Sequence, residues 1–95
     1  MIARVFEAKG WTVGQYDDLM KHLVDELQLD PGRPAPGVVV HWAAPTADGV
    51  LAVDVYESRE AADRLVSDSI GPIAARLDLP LPEITEYEVH RYLAP

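Results

Sequence analysis

The sequence predicts an α+β fold of the ferredoxin-like β-α-β-β-α-β type, with four antiparallel strands and two helices on one face of the sheet. Three observations predict it. Apolar residues recur at three- and four-residue steps in two stretches, 10–27 and 58–79, the period of a helix with one buried stripe. Runs with period-two alternation or a dense set of valines occupy 1–9, 38–44, 50–58 and 83–93, the signature of strands. The two middle runs are separated only by "PTADG" at 45–49, a distance that closes a hairpin and is too short for a crossover.

Each element has its own justification. In "MIARVFEAK", Ile2, Arg4, Phe6 and Ala8 share one face of a strand and Ala3, Val5 and Glu7 the other. The first helix opens at Thr12, an N-cap, with Gln15 three residues on to complete a capping box. Its stripe is Val13, Tyr16, Leu19, Met20, Leu23 and Leu27, and Asp17 and Asp18 sit where the helix dipole favours negative charge. "DPGRPAPG" at 30–37 is a loop, because its prolines and glycines sustain neither ladder. Ser58 caps the second helix, whose buried stripe is expected to be Ala62, Leu65, Val66, Ser69, Ile70, Ile73 and Leu77. Gly71-Pro72 interrupts it, and a kink or restart is expected there. "PLP" at 80–82 ends it before the last strand.

At 95 residues the chain reads as one domain, 1–95, with a thin core of its own. Apolar residues make up 48% and charged residues 25%, the balance of a globular domain. There is no cysteine, which excludes disulfides, thiolate catalysis and thiolate metal sites. Sixteen acidic against eight basic residues leave a net charge of −8. That field repels phosphate backbones and anionic membranes, so no nucleic-acid or membrane partner is expected. No run is long enough to span a bilayer and none has the pattern of a signal peptide, so the expected location is cytoplasmic.

The hairpin has two unlike faces. Val38, Val40 and Trp42 with Leu51, Val53 and Val55 are wholly apolar, and are assigned to the helix-covered core. Thr85, Tyr87, Val89, Arg91 and Leu93 of the last strand are placed with them. The helix-free face then carries Val39, His41, Asp54, Tyr56, His90 and Tyr92. A mixed aromatic and polar face of that kind points to cover by a second copy, a homodimer.

The segments "TVGQYDDLMKHL", "GVVVHWAAPTADGVLAVDVYESREAADRL" and "YEVHRYL" resemble the dimeric α+β barrel superfamily, which includes antibiotic biosynthesis monooxygenase-like, EthD-like and stress-responsive barrel proteins. The likeness runs over nearly the whole chain and is nearest to small actinobacterial-type members. It implies a homodimeric barrel with helices outside. Members of the superfamily include cofactor-free oxygenases, isomerases, decarboxylases and haem-handling enzymes. The cofactor-free oxygenases use Trp, Tyr, Asn or His in an apolar pocket, and His41, Trp42 and Tyr56 are residues of those types.

His41 and Asp54 are the candidate catalytic pair. With Ala43 opposite Val50 they share a face one diagonal apart, where a carboxylate fixes the imidazole tautomer and raises its basicity. The same pair also reads as a buried polar contact stabilising the interface, and a register shifted by one residue would put the two on opposite faces with no contact. Trp11, Tyr16, Trp42 and Tyr56, with His90 and Tyr92, are candidate pocket residues for a small apolar or aromatic molecule. Arg4 is expected to pair with Glu86 or Glu88 across the strands, and His22 to lie on the surface. No phosphate-cradling loop, nucleophile elbow or metalloprotease motif is present, and no cofactor is predicted. Three functions stay open. One is a cofactor-independent oxygenase, isomerase or cyclase acting on a small aromatic or polyketide-like molecule. The others are a non-catalytic ligand-binding or scaffold homodimer, and haem or metal handling through His41 or His90.

Overall fold

The computed structural model describes residues 1–94. Its strands are β1 (Ile2–Lys9), β2 (Val38–Pro45), β3 (Gly49–Tyr56) and β4 (Glu83–Glu88). They form one antiparallel sheet in the order β2-β3-β1-β4, the ferredoxin-like topology. The helices are α1 (Val13–Leu27), α2 (Arg59–Leu65) and α3 (Gly71–Arg76), the last two joined by a π-turn at Val66–Ile70.

Helix α1 begins as its sequence dictates. The Gln15 N–H donates to Thr12 Oγ1 at 3.1 Å and the Thr12 N–H to Gln15 Oε1 at 2.9 Å, so two orphan donors of the first turn are satisfied reciprocally. The helix stops at Gln28, which takes a left-handed conformation and returns its N–H to the Asp25 and Val24 carbonyls. Leu19 and Leu23 are its buried residues. Ser58 caps α2 through the Ala61 N–H at 3.1 Å. The interruption expected at Gly71-Pro72 takes the form of the π-turn.

The ladder corrects three expectations. Ala43 pairs with Ala52, not Val50, and His41 stands directly opposite Asp54. The register is closer than the diagonal read from the turn, because β2 runs on through Pro45 and Thr46 donates its N–H back to Gly49 at 2.9 Å. Strand β4 ends at Glu88, not at 93. Its partner β1 begins at Ile2, opposite Glu88, and beyond that pair the Val89 N–H donates to the Met1 carbonyl.

The third correction concerns the faces. The helices cover the side that carries Ile2, Arg4, Phe6 and Ala8 of β1, Val50, Ala52, Asp54 and Tyr56 of β3, His41 of β2 and Ile84 and Glu86 of β4. The valine-rich side, with Val40, Trp42, Leu51, Val53 and Val55, has no helix over it, and Thr85 and Tyr87 lie there too. Uniform apolarity does not mark the inner face here. The inner face instead has alanines at Ala8, Ala43 and Ala52 and reaches close packing with side chains from the helices. Val38 also leaves the set in which it was grouped. A bulge between Val38 and Val40 shifts the phase of β2, so Val38 pairs with Tyr56 and packs on the core while Val40 faces away. Tyr56 and Ile73 are the largest fully enclosed side chains.

Candidate functional site

The site grows from the register of β2 on β3. Opposed residues of an antiparallel pair put their side chains on one face, so His41 and Asp54 meet beneath α1. Asp54 is 5% exposed and is the single buried acidic side chain among the described residues. Its two oxygens have separate donors. Oδ1 accepts from His41 Nδ1, and Oδ2 accepts from the Tyr56 hydroxyl at 2.6 Å. The carboxylate therefore holds the imidazole proton on Nδ1 and leaves Nε2 as an acceptor. Tyr16, from the first turn of α1, donates its hydroxyl to that nitrogen. The Tyr16 and His41 rings are nearly coplanar, 8° apart with centroids separated by 6.0 Å. With the hydroxyl bonded to a ring nitrogen, this is an in-plane, edge-to-edge contact and not a face-to-face stack.

The result is a linear chain, Tyr16–His41–Asp54–Tyr56, drawn from a helix and two strands. Its environment tunes it. Burial, reinforced by the negative charges of Asp54 and Asp17, pushes the Tyr16 hydroxyl up to about 12. Burial and then the hydrogen bond to Asp54 hold Tyr56 well above the usual tyrosine range. Both phenols thus stay protonated as donors. No buried side-chain nitrogen or oxygen among the described residues lacks a partner.

Behind Tyr56 lies an ion-pair cluster. Arg4 sits opposite both Asp54 and Glu86 in the ladder. Its guanidinium bonds to Asp63 of α2 at 2.6 Å and to Glu86 at 3.1 Å, and lies 6.0 Å from the centre of the Tyr56 ring. Arg59 of α2 joins Glu86 at 2.8 Å. Of the two partners expected for Arg4, Glu86 is the one bonded; Glu88 faces Ile2.

His41 and Tyr16 open onto a cleft of about 230 Å³ between the sheet and the helices. Phe6, Ala8 and Ala52 line it from the sheet, Leu19, Ile70 and Ala74 from the helices, and Leu81, Pro82 and Ile84 at the rim. Its wall is almost wholly apolar apart from the His41 end.

The structure distributes the sequence candidates unevenly. His41, Asp54 and Tyr16 are joined and all line the cleft. Trp11 also lines it, its Nε1 donating to the Pro80 carbonyl at 2.8 Å. Tyr56 is fully buried behind Asp54 and does not reach the cleft. Trp42 is on the helix-free face, 48% exposed, because it alternates with His41 along β2. His90 and Tyr92 follow the end of β4 and do not line the cleft. Both ring nitrogens of His41 are engaged, and no group of three or more metal-ligating side chains occurs among the described residues. The face that carries His41, expected to be covered by a second copy, is covered by helices of its own chain, with Tyr16 of α1 against the imidazole. The bond from Tyr16 to His41 was not read from the sequence. Its signal was a phenol on the inner stripe of α1, which would have pointed to the histidine once the covered face was known.

No family model matches the chain, and no curated protein matches it. Solved structures do. Two proteins carrying the provisional name antibiotic biosynthesis monooxygenase are similar over 99% of this chain. The one from Chloroflexus aurantiacus is 19% identical, with 98% of its own length covered and a TM-score of 0.63. The one from Deinococcus radiodurans is 15% identical, with 96% covered and a TM-score of 0.57. A point mutant of SnoaB, a cofactor-independent oxygenase from Streptomyces nogalater, is 16% identical, with 99% of this chain and 95% of its own covered and a TM-score of 0.61. The chain thus has the fold of antibiotic biosynthesis monooxygenase-like proteins, as the resemblance in its sequence implied.

Proposed function

We propose that the protein is a cofactor-independent enzyme that moves a proton on a small, flat, largely apolar molecule bearing an acidic hydroxyl or an enolisable C–H. The observation that carries this reading is the chain Tyr16–His41–Asp54–Tyr56 ending on an apolar cleft. Tyr16 is a poor resting base, since its phenol is held up to about 12. It is a good relay. As the ligand's proton passes to the Tyr16 oxygen, the Tyr16 proton passes to His41 Nε2. The imidazolium so formed lies against Asp54, whose charge offsets it, and Tyr56 steadies the carboxylate. The Tyr16 hydroxyl then donates to the ligand anion. That anion is the reactive species for isomerisation or cyclisation and, with dioxygen as co-reactant, for oxygenation. The activity named for the fold-mate SnoaB supports the oxygenase form.

A non-catalytic ligand binder is the second reading, favoured by the completeness of the polar chain, in which nothing is left unsatisfied. A panel of hydroxyaromatic and enolisable compounds separates the two. With an accepted substrate, His41→Ala is expected to lower kcat at least about 100-fold while circular dichroism stays native. Unchanged turnover in that variant removes the proton relay through His41, and saturable binding without turnover in the native chain establishes the binder. The reading includes a homodimer through the helix-free face, supported by the continuous apolar surface of Val40, Trp42, Val53, Val55 and Tyr87.

A further inference from the structure

One wall of the cleft is not regular helix. In the π-turn Val66–Ile70, the Gly71 N–H donates to the Val66 carbonyl, five residues back. The local sequence requires this. Pro72 has no N–H to give, and in an α-helix its ring would clash with the carbonyl four residues earlier. A wider turn relieves the clash. At Gly71 a Cβ would stand 2.9 Å from the Val66 carbonyl oxygen, so the hydrogen of glycine is what fits.

The consequence falls on the cleft. Val66, Ile70 and Gly71 all line it, followed by Ala74. At about 100° per residue, an α-helix would leave Gly71 about 140° around from Val66, off that wall. The wider turn brings it back. The helix wall thereby contributes no side chain at Gly71 and only a methyl at Ala74 to the same cleft that the sheet lines with the methyls of Ala8 and Ala52. These four small residues leave part of the cleft's volume unfilled.

We infer that the π-turn set by Gly71-Pro72 is the size selector of the cleft: it determines the largest ring system the site accepts. The inference rests on the cleft being the ligand site, as proposed above, and on no turnover.

Two hydroxylated probes of different width, phenol and 2-naphthol, test it by calorimetry. Asp68 is exposed and lies within the π-turn. Deleting it together with Pro72→Ala removes the extra residue and restores the donor, so a continuous α-helix becomes available with the flanking faces in phase. This variant is expected to lose at least about tenfold in affinity for 2-naphthol, the scale of a methylene-sized misfit in an apolar pocket, and to keep its affinity for phenol. Gly71→Ala, with unchanged chain length, is expected to lose in the same direction by less; it decides the matter alone if the deletion variant does not fold. Retention of 2-naphthol affinity, or equal loss of both probes, overturns the size selector and leaves the proposed function standing. A native chain that binds neither probe overturns both.

Discussion

Under the helices the sheet carries Arg4, His41, Asp54, Tyr56 and Glu86; on the side without helices it carries Val5, Val40, Trp42, Val53, Val55 and Tyr87. Apart from Glu86, which stays exposed at the rim, the polar set is the one the chain covers for itself. Each of its members meets a partner of matching chemistry: Tyr16 from α1 for His41, Asp63 from α2 for Arg4, Arg59 from α2 for Glu86. Burying such groups costs free energy unless the partner is placed with hydrogen-bond accuracy, and a covalently linked helix supplies that accuracy. Burying valines needs no direction, so any apolar surface serves, including one from another chain. The contrast separates a face that needs specific partners from a face that needs only cover.

The largest effect is expected from breaking the directional face at its centre. Asp54→Ala removes the acceptor of two donors, one of them on the fully enclosed Tyr56. Urea denaturation should show a loss of about 2–5 kcal/mol, the cost of leaving two buried donors without their acceptor at about 1–3 kcal/mol each. A loss near zero would mean that the chain is dispensable to the fold and the contrast between the faces is false.

The opposite face should respond in association and not in folding. Trp42→Lys is expected to leave the stability of the isolated chain within about 0.5 kcal/mol and to weaken self-association by about 2 kcal/mol, roughly 30-fold in Kd. Sedimentation across a concentration series reads it. A native chain sedimenting as a 10.5 kDa particle at all concentrations would show that nothing of its own kind covers the valines.

A smaller effect appears at alkaline pH. Tyr16 is raised from the ordinary value near 10 to about 12, and Tyr56 is raised too. A raised folded-state value means that the unfolded chain releases the proton first. Stability is therefore full below pH 10 and falls as the pH climbs from 10 towards 12. Of the four tyrosines, Tyr16 and Tyr56 should ionise late by absorbance at 295 nm, and Tyr16→Phe should delete one late step. A titration in which all four ionise together near 10 would contradict the enclosure of the chain.

The smallest effect belongs to the rim of the ion-pair cluster. Hydrogen bonds from Arg59 and then Arg4 hold Glu86 below its ordinary carboxylate value of 4.5. That contribution is present above pH 4.5 and is lost as pH falls through the lowered value. Salt should screen it, and Glu86→Gln should remove it without altering the alkaline limb.

Element order, the Thr12 and Ser58 caps, the interruption at Gly71-Pro72 and the shared face of His41 and Asp54 could all be read from the residues, because each depends on neighbours within a turn or a hairpin. Which face the helices take could not. Tyr56 reaches Asp54 from two residues along the same strand, but Tyr16 reaches His41 from α1, and that is a fact of tertiary placement. The rule that apolar residues go inside runs one way only; applied to Trp42 and Val53, it put the wrong side inward. The extent of β4 failed for a related reason. Residues 89–93 alternate as a strand should, but β1 has run out of residues to pair with them.

The bulge between Val38 and Val40 gives β2 two phases at once. It lets Val38 seal the core beside Tyr56 and lets His41, three positions later, meet Asp54. A plain two-residue alternation grants one of these placements and forbids the other. Changes of length in this strand are therefore unequal in their harm: losing the extra residue at the bulge would leave Val38 opposite Tyr56 and His41 opposite Asp54 on a plain ladder. The bulge is thus a reservoir of length, and a relative without it keeps the cleft chemistry with one residue fewer in this strand.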